Sequence, residues 1–306
     1  MSTTGNMKGI FLYKEREGLF LEEVPTPQPQ NDEVLVQLKA CGVCGTDVHL
    51  TEKHIPISLS KVIPGHEMAG VIKEKGSEVH SFSVGDRVLI FPQIFCGKCY
   101  ACKAGSEELC VKPKIFGMDV NGGFAEYVCV PERVLLKAPA RLPFTEAALF
   151  AESIGVAYHA IFARGKIQGN EKVLVVGAGG LGTNAIKLLK PLVDSSGVQI
   201  IAMDASSLAL ERAKKLGANW TIDVQKQDPQ QIIQEITQGE GVDVALEFVG
   251  KAATVKTAYR SLKKGGRLVL VGVGSEKADF GSIIAMAANG KSVIPSFGYS
   301  RQSAQD

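Results

Sequence analysis

Cys96, Cys99, Cys102 and Cys110 stand in one short run, CGKCYACKAGSEELC. Cysteines two residues apart on a tight turn aim both sulfurs at one ion. Four thiolates complete the tetrahedron zinc prefers and leave no position for a substrate. The spacing therefore predicts a closed, structural zinc site. Folding of this lobe would depend on it, because such ions contribute about 10–16 kcal/mol in small peptides at neutral pH. The competing reading is an iron–sulfur cluster. Its bacterial run closes with Cys-x3-Cys-Pro, whereas here seven residues separate Cys102 from Cys110, and Val111 follows. A disulfide framework suits short secreted chains rather than one of 306 residues with seven cysteines.

A glycine run, Gly177-Ala178-Gly179-Gly180-Leu181-Gly182, follows the apolar stretch from Lys172 to Val176. Such a pattern is weak by itself. After a strand and at the opening of a helix it predicts a dinucleotide site. Gly177 permits the tight turn, Gly179 lets the backbone approach a pyrophosphate, and Gly182 lets the helix pack on the strand. Free N–H groups around Gly180 and Leu181, with the positive end of the helix dipole, face the anion. The next strand ends at Asp204, and no arginine follows it. A carboxylate there accepts hydrogen bonds from the adenosine ribose and repels a 2′-phosphate, so NAD is expected rather than NADP. The alternative is that Asp204 caps the next helix, which Ser206 or Ser207 would do equally well. Val249, Val271 and Val273, at or just past the ends of later strands, complete the expected cofactor-binding set.

Two further segments offer metal ligands: CGVCGTDVH, from Cys41 to His49, and Gly65-His66-Glu67. Cys44 and His66 could share a second zinc, with a carboxylate as third protein ligand and the fourth position open, as in catalytic sites. Singly, a cysteine is more often a small buried hydrophobe and a histidine a hydrogen-bonding residue. Their appearance beside a zinc run and a dinucleotide loop favours the metal. His54 and His80 lack such surroundings and read as solvated.

These residues need elements to hold them. The first half carries short strand candidates punctuated by Gly and Pro: residues 33–38, 68–72, 86–90 and 125–130. A β-rich, barrel-like domain is expected, with Pro25, Pro27 and Pro29 in an extended surface connection. Near Pro143 the character changes. Thr145 to Leu149 starts like a capped helix, and apolar spacing continues through Ala157, Ala160 and Ile161. Beyond Lys172, apolar runs at 173–176, 200–203, 242–248, 268–273 and 292–297 alternate with helical stretches such as 208–216, closed by Gly217. That alternation predicts a doubly wound parallel sheet, an α/β fold. Cys129 is expected in the core.

Composition fits a globular protein with a proper core: 45% hydrophobic, 22% charged, 33 glycines, net charge +2. No basic stripe marks a nucleic-acid partner. No stretch of transmembrane length and no signal peptide is present, so no membrane partner is expected. Metal-type cysteines without an export signal imply a reducing compartment, most simply the cytoplasm.

Six motifs together, CGVCGTDVH, PGHEMAGVI, the cysteine quartet, GGFAEYV, GAGGLG and GVDVALEFVG, cover most of the chain. They resemble the zinc-dependent medium-chain alcohol dehydrogenases. The resemblance implies a GroES-like β-barrel domain (1–152) carrying both zincs and a Rossmann domain (153–295) binding NAD. Residues 296–306 would begin a return to the first domain, cut short where another helix and strands are expected. It implies two Zn2+ per chain, one catalytic and one structural. Cys44 and His66 match the first two catalytic ligands, and Glu152 in Leu149-Phe150-Ala151-Glu152-Ser153 is the candidate third. Glu67 matches a carboxylate that can coordinate transiently, and the choice between Glu67 and Glu152 stays open. Thr46 would accept the substrate's proton, His49 would deliver it to solvent, and Asp47 would orient His66. His159 would be a packing or hinge residue. The implied reaction is reversible oxidation of an alcohol to an aldehyde or ketone by hydride transfer to NAD, on a small-molecule alcohol or carbonyl substrate. A polyol or amino-alcohol (sorbitol/threonine-type) dehydrogenase is the alternative, and a non-catalytic NAD-binding or redox-responsive zinc protein the second. A homodimer or homotetramer is expected by the same resemblance.

Overall fold

A computed structural model describes residues 5–305. The chain divides into two compact units. One runs through Glu152 and adds Ser300–Ala304; the other holds Ser153–Tyr299.

In the first unit, β1 (Asn6–Tyr13) pairs antiparallel with β2 (Leu19–Pro25). A second sheet is built on β3 (Glu33–Gly42), which runs into α1 (Gly45–Thr51). The short β4 (Lys61–Val62) joins β1. Next come β5 (Glu67–Lys75), β6 (Arg87–Ile90), the short β7 (Gln93–Ile94), α2 (Tyr100–Lys103) and β8 (Lys114–Ile115), which pairs with β7. β9 (Tyr127–Pro131) and β10 (Leu135–Lys137) complete the five-stranded order β10-β6-β5-β3-β9. The pairing of β3 with β5 matters most. Its register sets Cys41 opposite Met68 and Gly42 opposite Glu67. The two ligand-bearing segments, far apart in sequence, therefore leave the same end of one ladder.

α3 (Phe144–Leu149) lies against this sheet through small side chains. Ala147, Ala148 and Ala151 are buried with Ala69 and Leu89. Each buried methyl contributes only about 0.8 kcal/mol; the larger effect is that alanines let the helix sit close. Its N-cap is Pro143, without a side-chain cap bond. The expected Thr145 cap is thus replaced by a proline whose carbonyl accepts from Ala147 N at 2.8 Å. Helical backbone continues through a π-type stretch, Phe150–Ile154, then α4 (Gly155–Tyr158) and a second π-type stretch, His159–Arg164.

The second unit is a six-stranded parallel sheet. In chain order its elements are β11 (Lys172–Val176), α5 (Gly180–Ser196), β12 (Gln199–Asp204), α6 (Ser207–Lys215), β13 (Trp220–Asp223) and α7 (Pro229–Thr237). β14 (Val242–Glu247), α8 (Ala252–Ser261), β15 (Leu262–Leu270), α9 (Ile283–Asn289) and β16 (Ser292–Pro295) follow. The order β13-β12-β11-β14-β15-β16 reverses direction between β11 and β14, where doubly wound sheets bind ligands. Leu174, Ile201, Ala245 and Leu268, buried in adjacent strands, form part of its core.

Three local expectations are corrected. β13 is a strand the periodicity reading passed over, because WTID is four residues long and only Ile222 is buried. β15 starts at Leu262 and ends at Leu270, so Val271 and Val273 lie in the loop beyond it. Cys129, expected in the core, is only half-buried.

Candidate active site

The cysteine quartet sits on turns opened by Gly97 (φ 71°) and Gly105 (φ 74°) around α2. All four sulfurs lie within 4.8 Å of one another. Cys96 and Cys102 are 3.9 Å apart, and Cys99 and Cys102 are 3.5 Å apart. A tetrahedron with Zn–S bonds of about 2.3 Å has edges of about 3.8 Å, so the cage is sized for one ion. Backbone N–H groups already point at these sulfurs: Cys96 N donates to Cys110 Sγ at 3.2 Å and Cys99 N to Cys96 Sγ at 3.4 Å. Such donors favour thiolate. They hold Cys99 down at about 6 and Cys96 below the usual thiol range, whereas burial pushes Cys102 up to about 12. A bound dication would deprotonate that last thiol.

The second cluster gathers Cys44, His66, Glu67 and Glu152, with ligand atoms all within 4.8 Å. Cys44 is the N-cap of α1, and Glu67 opens β5. Glu152 sits on the π-type stretch, the kind of local widening often found at functional sites. Asp47 ties the pieces together. Its Oδ2 accepts from Cys44 N at 2.9 Å and its Oδ1 from Gly65 N at 3.2 Å. Oδ1 also faces His66 Nδ1 at 3.8 Å, too far for a hydrogen bond. Gly42 is required here because a Cβ would meet Glu67 Oε2 at 1.9 Å.

The electrostatics fit a cation. Burial pushes Cys44 up to about 11 and Glu152 to about 8, raises Glu67 and lowers His66. Glu67 and Glu152 lie close enough to perturb each other, and the Glu67 charge adds to the rise of Glu152. Buried Glu152 Oε2 and His66 Nδ1 have no hydrogen-bond partner. The three raised acids report a donor set short of positive charge, which a dication among them would pull down again, and the lowered His66 is already in the neutral form that binds a metal. Cys41, at the same strand end, is pushed up to about 12 by burial and then by Asp47 and Glu67; it is outside the ligand cluster. Beside Cys44 Sγ, at 3.7 Å, lies the Thr46 hydroxyl. His49, one turn further on α1, is exposed.

In the second unit the glycine run behaves as its spacing requires. Gly177 has φ 89°. A Cβ on Gly182 would stand 1.9 Å from Gly177 O, whereas on Gly179 or Gly180 it would meet nothing within 4 Å. That free space beside helix-terminal N–H groups fits a pyrophosphate. Asp204 Oδ2 accepts from Ala178 N at 2.7 Å and Oδ1 from Ser206 N at 2.8 Å, while Ser206 caps α6. Asp204 thus braces the glycine loop, and lone pairs remain on its oxygens for ribose hydroxyls. Val249 packs against Gly177: a Cβ there would meet Val249 Cγ2 at 2.7 Å.

Sequence reasoning missed Glu247, wholly buried at the end of β14. It accepts from Val249 N (2.9 Å), Gly250 N (3.0 Å) and Thr254 Oγ1 (2.8 Å), fixing the loop that carries Val249. A lone glutamate closing an apolar strand was the available signal. His159 is buried and belongs to none of the ligand groups found among the described residues. His80 is exposed, as is His54, which nevertheless faces His49 and Glu52.

Family models for the alcohol dehydrogenase GroES-like domain and for zinc-binding dehydrogenases match residues 30–140 and 180–306. The chain belongs to the zinc-dependent medium-chain alcohol dehydrogenases. It is 37% identical to L-threonine 3-dehydrogenase of Pyrococcus abyssi over 92% of this chain and 81% of that protein. Sorbitol dehydrogenase of Bacillus subtilis is 37% identical over 89% of this chain and 76% of its own. Among solved structures, a zinc-binding dehydrogenase from Sinorhizobium meliloti 1021 bound to NADP superposes with a TM-score of 0.87, at 30% identity, over 98% of this chain and 88% of its own. Among the described residues, no helix is long and apolar enough to cross a membrane.

Proposed function

We propose that this protein oxidises a small alcohol reversibly to an aldehyde or ketone, with NAD as hydride acceptor. A zinc ion held by Cys44, His66 and Glu152 would lower the pKa of the alcohol hydroxyl, and NAD on the Gly177–Gly182 loop would take the hydride. Asp47, whose carboxylate faces His66, would help orient its ring. Glu67, beside Glu152, would be the carboxylate that can coordinate the ion transiently. The Thr46 hydroxyl accepts the substrate's proton, and the exposed His49 imidazole hands it to water. The structural ion belongs to the cysteine quartet. The first unit carries both metal sites and the second the cofactor. The observation that carries this reading is the convergence of four ligand atoms from three separate segments within 4.8 Å.

NAD rather than NADP follows from the Asp204 carboxylate. The similarity to threonine and sorbitol dehydrogenases favours, as second reading, a vicinal amino alcohol or polyol as substrate. A reducing compartment suits the thiols. The test is NADH formation at 340 nm across primary and secondary alcohols, L-threonine and sorbitol. Turnover with at least one of them is expected, lost in His66→Ala and at least about tenfold poorer with NADP. A protein with two bound zincs that reduces NAD with no alcohol would contradict the reading.

A further inference from the structure

α1 ends in a motif that sets His49 beside Glu52 and His54, two residues with no role in the site above. Glu52 is its C-cap, and Lys53 takes a left-handed conformation (φ 60°). His54 N donates to His49 O at 2.9 Å, and Lys53 N to Leu50 O at 3.1 Å. These are the 6→1 and 5→2 bonds of a Schellman ending, which brings the residue two beyond the cap against the one three before it. That contact is ordinarily apolar. Here it is made by two imidazoles, with ring centroids 5.7 Å apart and Nδ1 atoms 3.5 Å apart. Glu52 adds Oε2 at 3.3 Å from His54 Nδ1.

We propose that His49, Glu52 and His54 form a surface site for a divalent transition-metal ion, zinc foremost, distinct from the two sites above. Zn–N bonds of about 2.0–2.1 Å place tetrahedral ligand atoms about 3.3 Å apart. The two measured separations match that edge, and the three ligand atoms lie within 4.8 Å of one another. Two imidazoles and one carboxylate suit zinc, copper or nickel rather than calcium or magnesium. The backbone motif presets the pairing of the two rings, so binding orders little beyond the Glu52 side chain. All three residues are exposed, and the remaining coordination positions would be filled by water. The consequence for catalysis rests on the proposed function: an ion on His49 occupies the imidazole that would pass the proton to solvent, so excess zinc would inhibit turnover.

The test is calorimetric titration of Zn2+ into the zinc-replete protein, with zinc content and turnover followed together. One further ion per chain is expected, with a fall in turnover as it binds. His54→Ala and Glu52→Ala should keep basal turnover and circular dichroism, lose the further ion and resist inhibition, while His80→Ala behaves as the unaltered protein. No further ion, or equal uptake by His54→Ala and Glu52→Ala, would overturn the site. Uptake without inhibition would uphold the site and remove His49 from proton exit.

Discussion

Thr46 is half-buried beside the Cys44 sulfur, and His49 is exposed one helical turn on. On the proposed mechanism, a hydroxyl followed by an imidazole on one face of α1 would carry the proton outward. Thr46→Ala should cut turnover by about 10²–10⁴-fold, the usual scale of a lost proton-transfer group. NAD affinity, measured by quenching or NADH fluorescence, should hardly change. Equal loss of both would refute the relay. Glu152→Gln should cost the protein one of its two zincs by elemental analysis; retention of both would hand the third ligand position to Glu67. The candidate ligand residues could be picked out because the spacing of cysteines and histidines places them in groups that the fold brings within reach of one ion. Glu247 was not, because its work is to satisfy backbone N–H groups of a turn that appears only once β14 is folded.

The glycine run and its flanking strand were legible because a tight turn, a close approach and helix packing each demand the missing Cβ. Gly182→Ala should show this: its new methyl would press on the Gly177 carbonyl. An overpacked contact of this kind costs about 1–3 kcal/mol, read as a lower melting temperature and weaker NADH binding. Unchanged values for both would mean the loop has slack. The π-type stretches were not legible, since π widening has no simple residue period. They carry a second testable feature. Burial, with Arg164 adding repulsion, pushes His159 down to about 4. The unfolded chain then binds a proton more readily than the folded one between about pH 6.5 and 4. Stability present above that window should drain away as pH falls through it. His159→Gln should flatten the fall in urea midpoint between pH 7 and pH 5; an identical slope would refute the assignment.

At the scale of the whole molecule, fold class followed from the alternation of apolar strand runs and helices after Lys172 and from short punctuated strands before it. The β3–β5 register did not, although it is what sets Gly42 opposite Glu67 and so assembles the second metal cluster. Long-range pairing depends on which faces are buried together, and one sequence read locally does not contain that. The account rests on two separate ions, one in a cage of thiolates and one in a mixed sulfur, nitrogen and oxygen set. Zinc per chain, measured by elemental analysis on the purified protein and on its Cys44→Ser, His66→Ala double variant, tests this most directly. Two ions falling to one, with the melting temperature held by the intact quartet, is the expected result. Two ions retained in the double variant, or a single ion in the unaltered protein, would contradict it.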